Sequence, residues 1–274
     1  MLRAIAAGYL VTWLVMTPAH RLGTLALLGI LSSGSGRAMA EHDHGSDAEV
    51  GGEAAFGASI TLVAAAYDTM LYGGDYQGIS PAVRWSNARF AASASLPYYR
   101  VTKNGKTLHG AGDGMVHGII ALARTTTSQA GMALAVTAPS GDRQDGLGMG
   151  HVMVMPGVWG SYMLGDVTIG GSVGYGRALG ANDGHDHGAG PIVDPMNNSE
   201  VTWSASADLE LARQLRAGAR ASGAVPTADG TTRAAGGLRV AWMAGHVVTA
   251  ATVQVGIAGD PFTLRGVVET SLRF

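Results

Sequence analysis

Between Val201 and Leu211 apolar and polar side chains alternate without a break. Val201, Trp203, Ala205, Ala207, Leu209 and Leu211 share one parity, and Thr202, Ser204, Ser206, Asp208 and Glu210 share the other. Successive side chains of a strand point to opposite faces, so this segment is a strand with one greasy and one hydrophilic side. A helix would need apolar residues three and four positions apart, where this segment places polar ones. The same period of two runs through Val247, Thr249, Ala251, Val253, Val255 and Ile257, and through Val167, Ile169, Val173 and Tyr175. It recurs in Phe90, Ala92, Ala94 and Leu96. At the C-terminus Phe262, Leu264, Val268, Thr270, Leu272 and Phe274 oppose Thr263, Arg265, Glu269, Ser271 and Arg273.

The pattern predicts about twelve strands of the length that tilted membrane strands need. They fall at 57–67, 76–85, 88–101, 115–124, 130–138, 151–164, 166–177, 200–212, 215–225, 232–243, 246–257 and 262–274. Short turns at 86–87, 125–130, 165, 214 and 245 alternate with longer links at 68–75, 102–114, 139–150, 178–199, 226–231 and 258–261. Short periplasmic turns alternating with long external loops is the layout of bacterial outer-membrane barrels, and an even strand number places both termini in the periplasm. After Ala40 no apolar run approaches the ~20 residues of a spanning helix, so insertion by strands requires a closed barrel. A soluble β-sandwich alternates in the same way. Only 14% of the residues are charged, however, against roughly a quarter in soluble domains. The expected fold is therefore all-β: an antiparallel transmembrane β-barrel over residues 56–274, in contact with outer-membrane lipid.

The front of the chain has a different character. Met16 to Arg21 forms a short basic region, Leu22 to Leu31 an apolar stretch, and Ala38-Met39-Ala40 a small-x-small cleavage site, the three parts of a secretory signal. Residues 1–40 are thus expected to be removed, with Met16 a candidate for the true start. Residues 41–55 then form a His- and Asp-containing periplasmic tail. Cysteine is absent, which removes disulfide frameworks and thiolate metal sites. The first 40 residues take three of the 18 basic side chains and none of the 20 acidic ones. The mature chain is therefore net acidic and has no electrostatic footprint for nucleic acid.

The terminal Phe274, with Leu272 and Val268 on the same face, resembles the C-terminal signal by which the barrel assembly machinery recognises its substrates. On the opposite parity lie Arg84, Arg89, Asp208, Glu210, Arg216, Arg220, Arg239, Arg265, Glu269 and Arg273. Arginine on a lipid face costs about 2–4 kcal/mol at mid-depth, so these residues are expected to line the lumen. There they form an internal salt-bridge lattice, or bias passage towards anionic and polar-headed solutes.

Two nearly identical tracts, Glu41-His42-Asp43-His44-Gly45 and Gly184-His185-Asp186-His187-Gly188, set histidines on either side of an aspartate. Imidazole and carboxylate suit zinc, copper or nickel. A closed zinc site needs about four ligands and each tract offers three at most, so weak capture of a divalent metal by His42, His44, His185, Asp186 and His187 is the most that is expected. No other cofactor is implied. The remaining histidines are dispersed: His117 has lumen parity, and His151 and His246 begin strands. No triad-like spacing supports a barrel hydrolase, so no catalytic residues are expected. Tyr67, Tyr72, Tyr98, Trp159, Trp203 and Trp242 fall near strand ends or outer faces, where aromatic residues girdle membrane interfaces.

Pro139-Ser140-Gly141-Asp142 runs a strand into a Gly- and Asp-rich loop that continues Asp145-Gly146-Leu147-Gly148-Met149-Gly150. Pro156-Gly157, Leu164-Gly165-Asp166 and Gly174-Tyr175-Gly176 follow. This arrangement resembles the outer-membrane channels of the phenol meta-pathway (MetA) family. The resemblance implies passage of small hydrophobic or aromatic molecules and carries over no catalytic residue. Three functions therefore stand open at this point: a small-molecule channel, a metal-handling outer-membrane protein that uses the histidine tracts, and an enzymatic or purely structural barrel.

Overall fold

The computed structural model describes residues 54–68, 73–180, 193, 195–259 and 262–274. The proposed signal, most of the tail and both histidine tracts, with all five candidate metal ligands, lie outside them. The strands are β1 (Ala55–Asp68), β2 (Gly73–Ser86), β3 (Phe90–Ser95), β4 (Tyr98–Lys103), β5 (Lys106–Ala111), β6 (Gly114–Arg124) and β7 (Ser128–Ala138). There follow β8 (Val152–Leu164), β9 (Val167–Leu179), β10 (Ser199–Ala212), β11 (Leu215–Pro226), β12 (Arg233–Ala244), β13 (Val247–Ala258) and β14 (Phe262–Arg273). Among the described residues no helix is long and apolar enough to cross a membrane.

Each wall strand pairs antiparallel with its neighbours, and β1 pairs with both β2 and β14, from Gly57↔Arg273 up to Tyr67↔Phe262. The sheet thus closes into a barrel of twelve wall strands, and closure leaves the wall without an exposed edge. One end carries the short turns, the start of β1 and the end of β14; the other carries the longer links. We refer to these as the turn end and the loop end.

The predicted strand at 88–101 is broken at Leu96-Pro97, because proline has no N–H to donate to a ladder. Its lower part, β3, pairs with β2 and β6, and its upper part, β4, pairs with β2 and β5. The link expected at 102–114 is therefore largely strand. β4 and β5 form a hairpin that extends the wall at the loop end, turning at Asn104 (φ 48°) and Gly105 (φ 77°). Positive φ at both central residues is the type I′ geometry that Asn-Gly favours.

Burial follows the predicted parity. Phe56, Ile60, Leu62, Val83, Val158, Val173, Leu238 and Ile257 are exposed on the outer face. On the inner face Ser59, Thr61, Thr202, Ser204, Arg239 and Glu269 are buried. At its start, β14 departs from the pattern. The β1–β14 register shifts between Ala66 and Tyr67, so that Leu264 opposes Ala66 while Phe262, not Thr263, opposes Tyr67. The extra residue is a β-bulge. It turns Phe262, expected on the greasy face, into the interior, where it is 4% exposed. Two expected girdle residues also lie inside: Tyr67 is 3% exposed, and Trp159 is 6% exposed and donates from Nε1 to the Met132 carbonyl at 3.2 Å. Tyr98, Trp203 and Trp242 remain on outer positions, and Tyr72 lies outside the described residues.

Candidate functional site

The interior holds a lattice of charged pairs, the charged tier, and a packed apolar tier at the loop end. The two overlap along the axis, since the Glu200–Arg233 pair lies beside Ala235 at the loop end and a small apolar cluster of Ile119, Ala121, Ala133 and Trp159 lies towards the turn end. The charged tier is built by parity, since every second residue of a wall strand must look inward. Arg84 on β2 reaches past β1 to Glu269 on β14 at 2.5 Å. Asp208 on β10 lies 3.3 Å from Arg220 on β11 and 3.8 Å from Arg239 on β12. Glu210 and Arg216 approach to 3.3 Å at the turn end. Arg265 donates from Nε to Gln254 Oε1 at 2.9 Å and stacks its guanidinium 4.1 Å from the Phe262 ring centre.

Nine of the ten charged residues expected to face the lumen thus occupy inward positions, and eight of them make a polar contact named above. Arg273 is inward at the rim. Arg89 stands apart, exposed in the turn between β2 and β3. Two members of the lattice escape a reading that starts at the strand centres. Glu200, fully buried, accepts Arg233 Nη2 on both carboxylate oxygens, at 2.9 and 2.7 Å, and also the Asn197 backbone N–H at 2.9 Å. The parity of Thr202 extends to Glu200, and that of Arg239 extends to Arg233, so the signal was present.

The apolar tier has no counterpart in the strand pattern. Tyr67, Tyr76, Tyr99, Val101, Phe262 and Ala235 from the wall pack with Leu147 from the β7–β8 link and Val193 from the β9–β10 link. Tyr76 meets Tyr99 edge-on at 6.2 Å and Tyr67 at 6.5 Å. Tyr67 donates its hydroxyl to the Thr102 carbonyl. A second cluster joins Ala135, Met153 and Met155, with Met115 and Met196 packed against it. The β7–β8 link is held inward by Asp113, whose carboxylate accepts the N–H of Gly141 at 2.9 Å and of Met149 at 2.7 Å. It is also tied to the second link, where Val193 N–H donates to the Gly146 carbonyl at 3.4 Å.

Towards the turn end lies a cavity of about 150 Å³, lined by Arg84, Arg273, His117 and His246 together with Ala91, Ile119 and Val248. A smaller void of about 40 Å³ touches Asp208, Arg216 and Arg239. Of the dispersed histidines, His117 is inward and 4% exposed, while His246 is exposed at the β12–β13 turn. His151 immediately precedes β8; burial, and then the Arg143 charge, push its pKa below the usual 6.5, against a smaller opposing pull from Asp113. Among the described residues no three His, Asp or Glu side chains gather as a metal-holding group.

Of the assembly-signal residues, Val268 and Leu272 occupy outward positions of β14. Phe274 follows the strand and is 72% exposed, and its N–H donates to the Phe56 carbonyl at 2.8 Å.

No protein-family model matches the chain, and no curated protein matches its sequence. Solved structures do resemble it. An outer membrane channel from Pseudomonas putida F1 superposes with a TM-score of 0.63 at 12% identity, over 86% of this chain and all of the other. The translocator domain of the autotransporter NalP from Neisseria meningitidis gives 0.52 at 13% identity, over 83% of this chain and 90% of that one. The NanC porin gives 0.51 at 10% identity, over 78% and 98%. At such identities the likeness is one of fold: the chain has the architecture of outer-membrane β-barrels.

Proposed function

We propose that the protein is an outer-membrane channel for small hydrophobic or aromatic molecules, of the kind its resemblance to the phenol meta-pathway family implies. The observation that carries this reading is the apolar tier. Water-filled barrels present polar interiors, whereas here two links bring Leu147 and Val193 into an interior surface of tyrosine, phenylalanine and valine. These side chains are buried against one another, so a solute with an apolar body is the kind that exchanges with their contacts, and a hydrated ion is not. The exposed outer belt supports placement in lipid, because a patch of that extent in water marks a membrane or partner surface. The terminal segment supports delivery by the barrel assembly machinery, and the layout of short and long connections supports termini in the periplasm.

The test is uptake of an aromatic alcohol into liposomes carrying the purified barrel, together with conductance across a planar bilayer. Uptake above that of empty vesicles with only small ionic conductance is expected; uptake equal to empty vesicles rejects the channel. Should the signal-less chain stay dissolved as a folded monomer without detergent, membrane placement itself is wrong. The metal-handling alternative rests on the histidine tracts alone. Replacing His185 and His187 with Ala should lower copper or zinc binding by the purified barrel, and titrations that overlay the parent remove metal from the account.

A further inference from the structure

The cavity at the turn end has a composition that the channel reading does not use. Its lining includes Arg84, Arg273, His117 and His246 and, among the described residues, no aspartate or glutamate. Glu269 answers one terminal nitrogen of Arg84 at 2.5 Å, yet the Arg84 side chain keeps a quarter of its surface exposed. Arg273 is exposed at the rim. The rest of the lining is largely aliphatic, with Ala91, Ile119 and Val248 beside the basic groups. A void of about 150 Å³ in a soluble protein takes a benzene ring. A cavity of this size, lined by both cationic donors and apolar side chains, matches a molecule of the same two-part character.

We propose that this cavity is a binding subsite for small monocarboxylates with an apolar body, of which benzoate is the simplest aromatic case. The carboxylate is held by the guanidinium groups of Arg84 and Arg273 through charge-assisted hydrogen bonds, and the ring lies against Ile119, Ala91 and Val248. The proposal rests on the channel reading for its purpose, since it names the solute class that passes. Its physical content is separable, because binding can be measured without transport.

The experiment is calorimetric titration of the purified, detergent-solubilised mature chain with three probes: benzoate, its uncharged analogue benzamide, and acetate. Benzoate is expected to bind about ten- to a hundredfold more tightly than either of the others, the span that one or two charged hydrogen bonds support. Arg273→Gln should remove most of that preference. The joint replacement Arg84→Gln with Glu269→Gln, which removes both members of the pair, should do the same, and Ser93→Trp, which fills the cavity, should abolish binding of all three. Equal affinity for benzoate and benzamide overturns the proposal, as does benzoate binding unchanged by both charge replacements. Liposome uptake separates the two readings. Uptake of aromatic alcohol with no benzoate preference sinks the subsite and leaves the channel, whereas benzoate binding without any uptake sinks the channel and leaves the subsite.

Discussion

The carboxylate of Asp113, just before β6, accepts the backbone N–H of Met149 at 2.7 Å, thirty-six residues further along the chain. With its other oxygen on Gly141 at 2.9 Å, one side chain ties both ends of the loop that carries Leu147 into the interior. Leu147 is 2% exposed, so releasing the loop would expose apolar surface at the mouth.

Replacing Asp113 with Ala removes two charge-assisted hydrogen bonds, each worth about 1.5–3 kcal/mol. The expected outcome is a loop cut much faster by trypsin at Arg143, and a higher uptake of aromatic solute, with the barrel wall intact by circular dichroism. An Asp113→Ala protein with parental cleavage and uptake would show that packing alone holds the loop.

The same loop should respond to acid through His151. Burial and Arg143 hold the folded pKa below 6.5, so below the ordinary value the released segment takes up a proton that the packed one resists. Stability of the packed arrangement is therefore full above about pH 6.5 and declines as pH falls through the lowered folded value. Asp113 opposes part of this effect. Cleavage at Arg143 should rise on acidification from neutral to about pH 5, and His151→Gln should flatten the rise. A slope unchanged in that variant would assign the effect elsewhere.

The sequence displays the wall plainly because a membrane barrel imposes a binary choice, lipid or interior, on every alternate residue. Where both faces are apolar that signal vanishes. On β8, Met153, Met155 and Trp159 face inward while Val154, Pro156 and Val158 face outward, and hydrophobicity does not distinguish the two sets. The β4–β5 hairpin carried a local signal in Asn104-Gly105, hidden by the polar residues around it. The inward turn of Phe262 depends on a bulge in the pairing of β14 with β1, a relationship between distant segments. The descent of Leu147 and Val193 into the interior is likewise set by tertiary contacts. Hence the charged half of the candidate site was readable from parity, and its apolar half was not.

Glu200 and Arg233 test how far the interior lattice supports the barrel. Glu200 is fully buried with Arg233 at 2.7 Å, and breaking a buried pair from one side costs about 3–5 kcal/mol. Glu200→Ala should lower markedly the temperature at which the folded band is lost on unboiled gels. Joint replacement of both residues by Leu and Met should restore much of the loss, because it leaves no unpaired charge. A double variant as unstable as the single one would locate the defect in lost packing and not in the orphaned guanidinium.

Phe274 separates folding from delivery. Its N–H bonds the Phe56 carbonyl at 2.8 Å, but the residue is 72% exposed. Truncation to Ala keeps the backbone bond and removes little buried surface, so its effect on the folded barrel should stay within about 0.5 kcal/mol. Phe274→Ala is therefore expected to refold into detergent with the parental yield and melting behaviour. In cells the picture should differ, because a ring that the finished barrel leaves exposed remains available for recognition during assembly. The amount of heat-modifiable barrel recovered from outer membranes should fall several-fold, with unassembled chain accumulating in the periplasm. Parental levels in the membrane would show that the last residue only closes the ladder to Phe56. A matching loss in detergent refolding would instead make Phe274 a stability determinant.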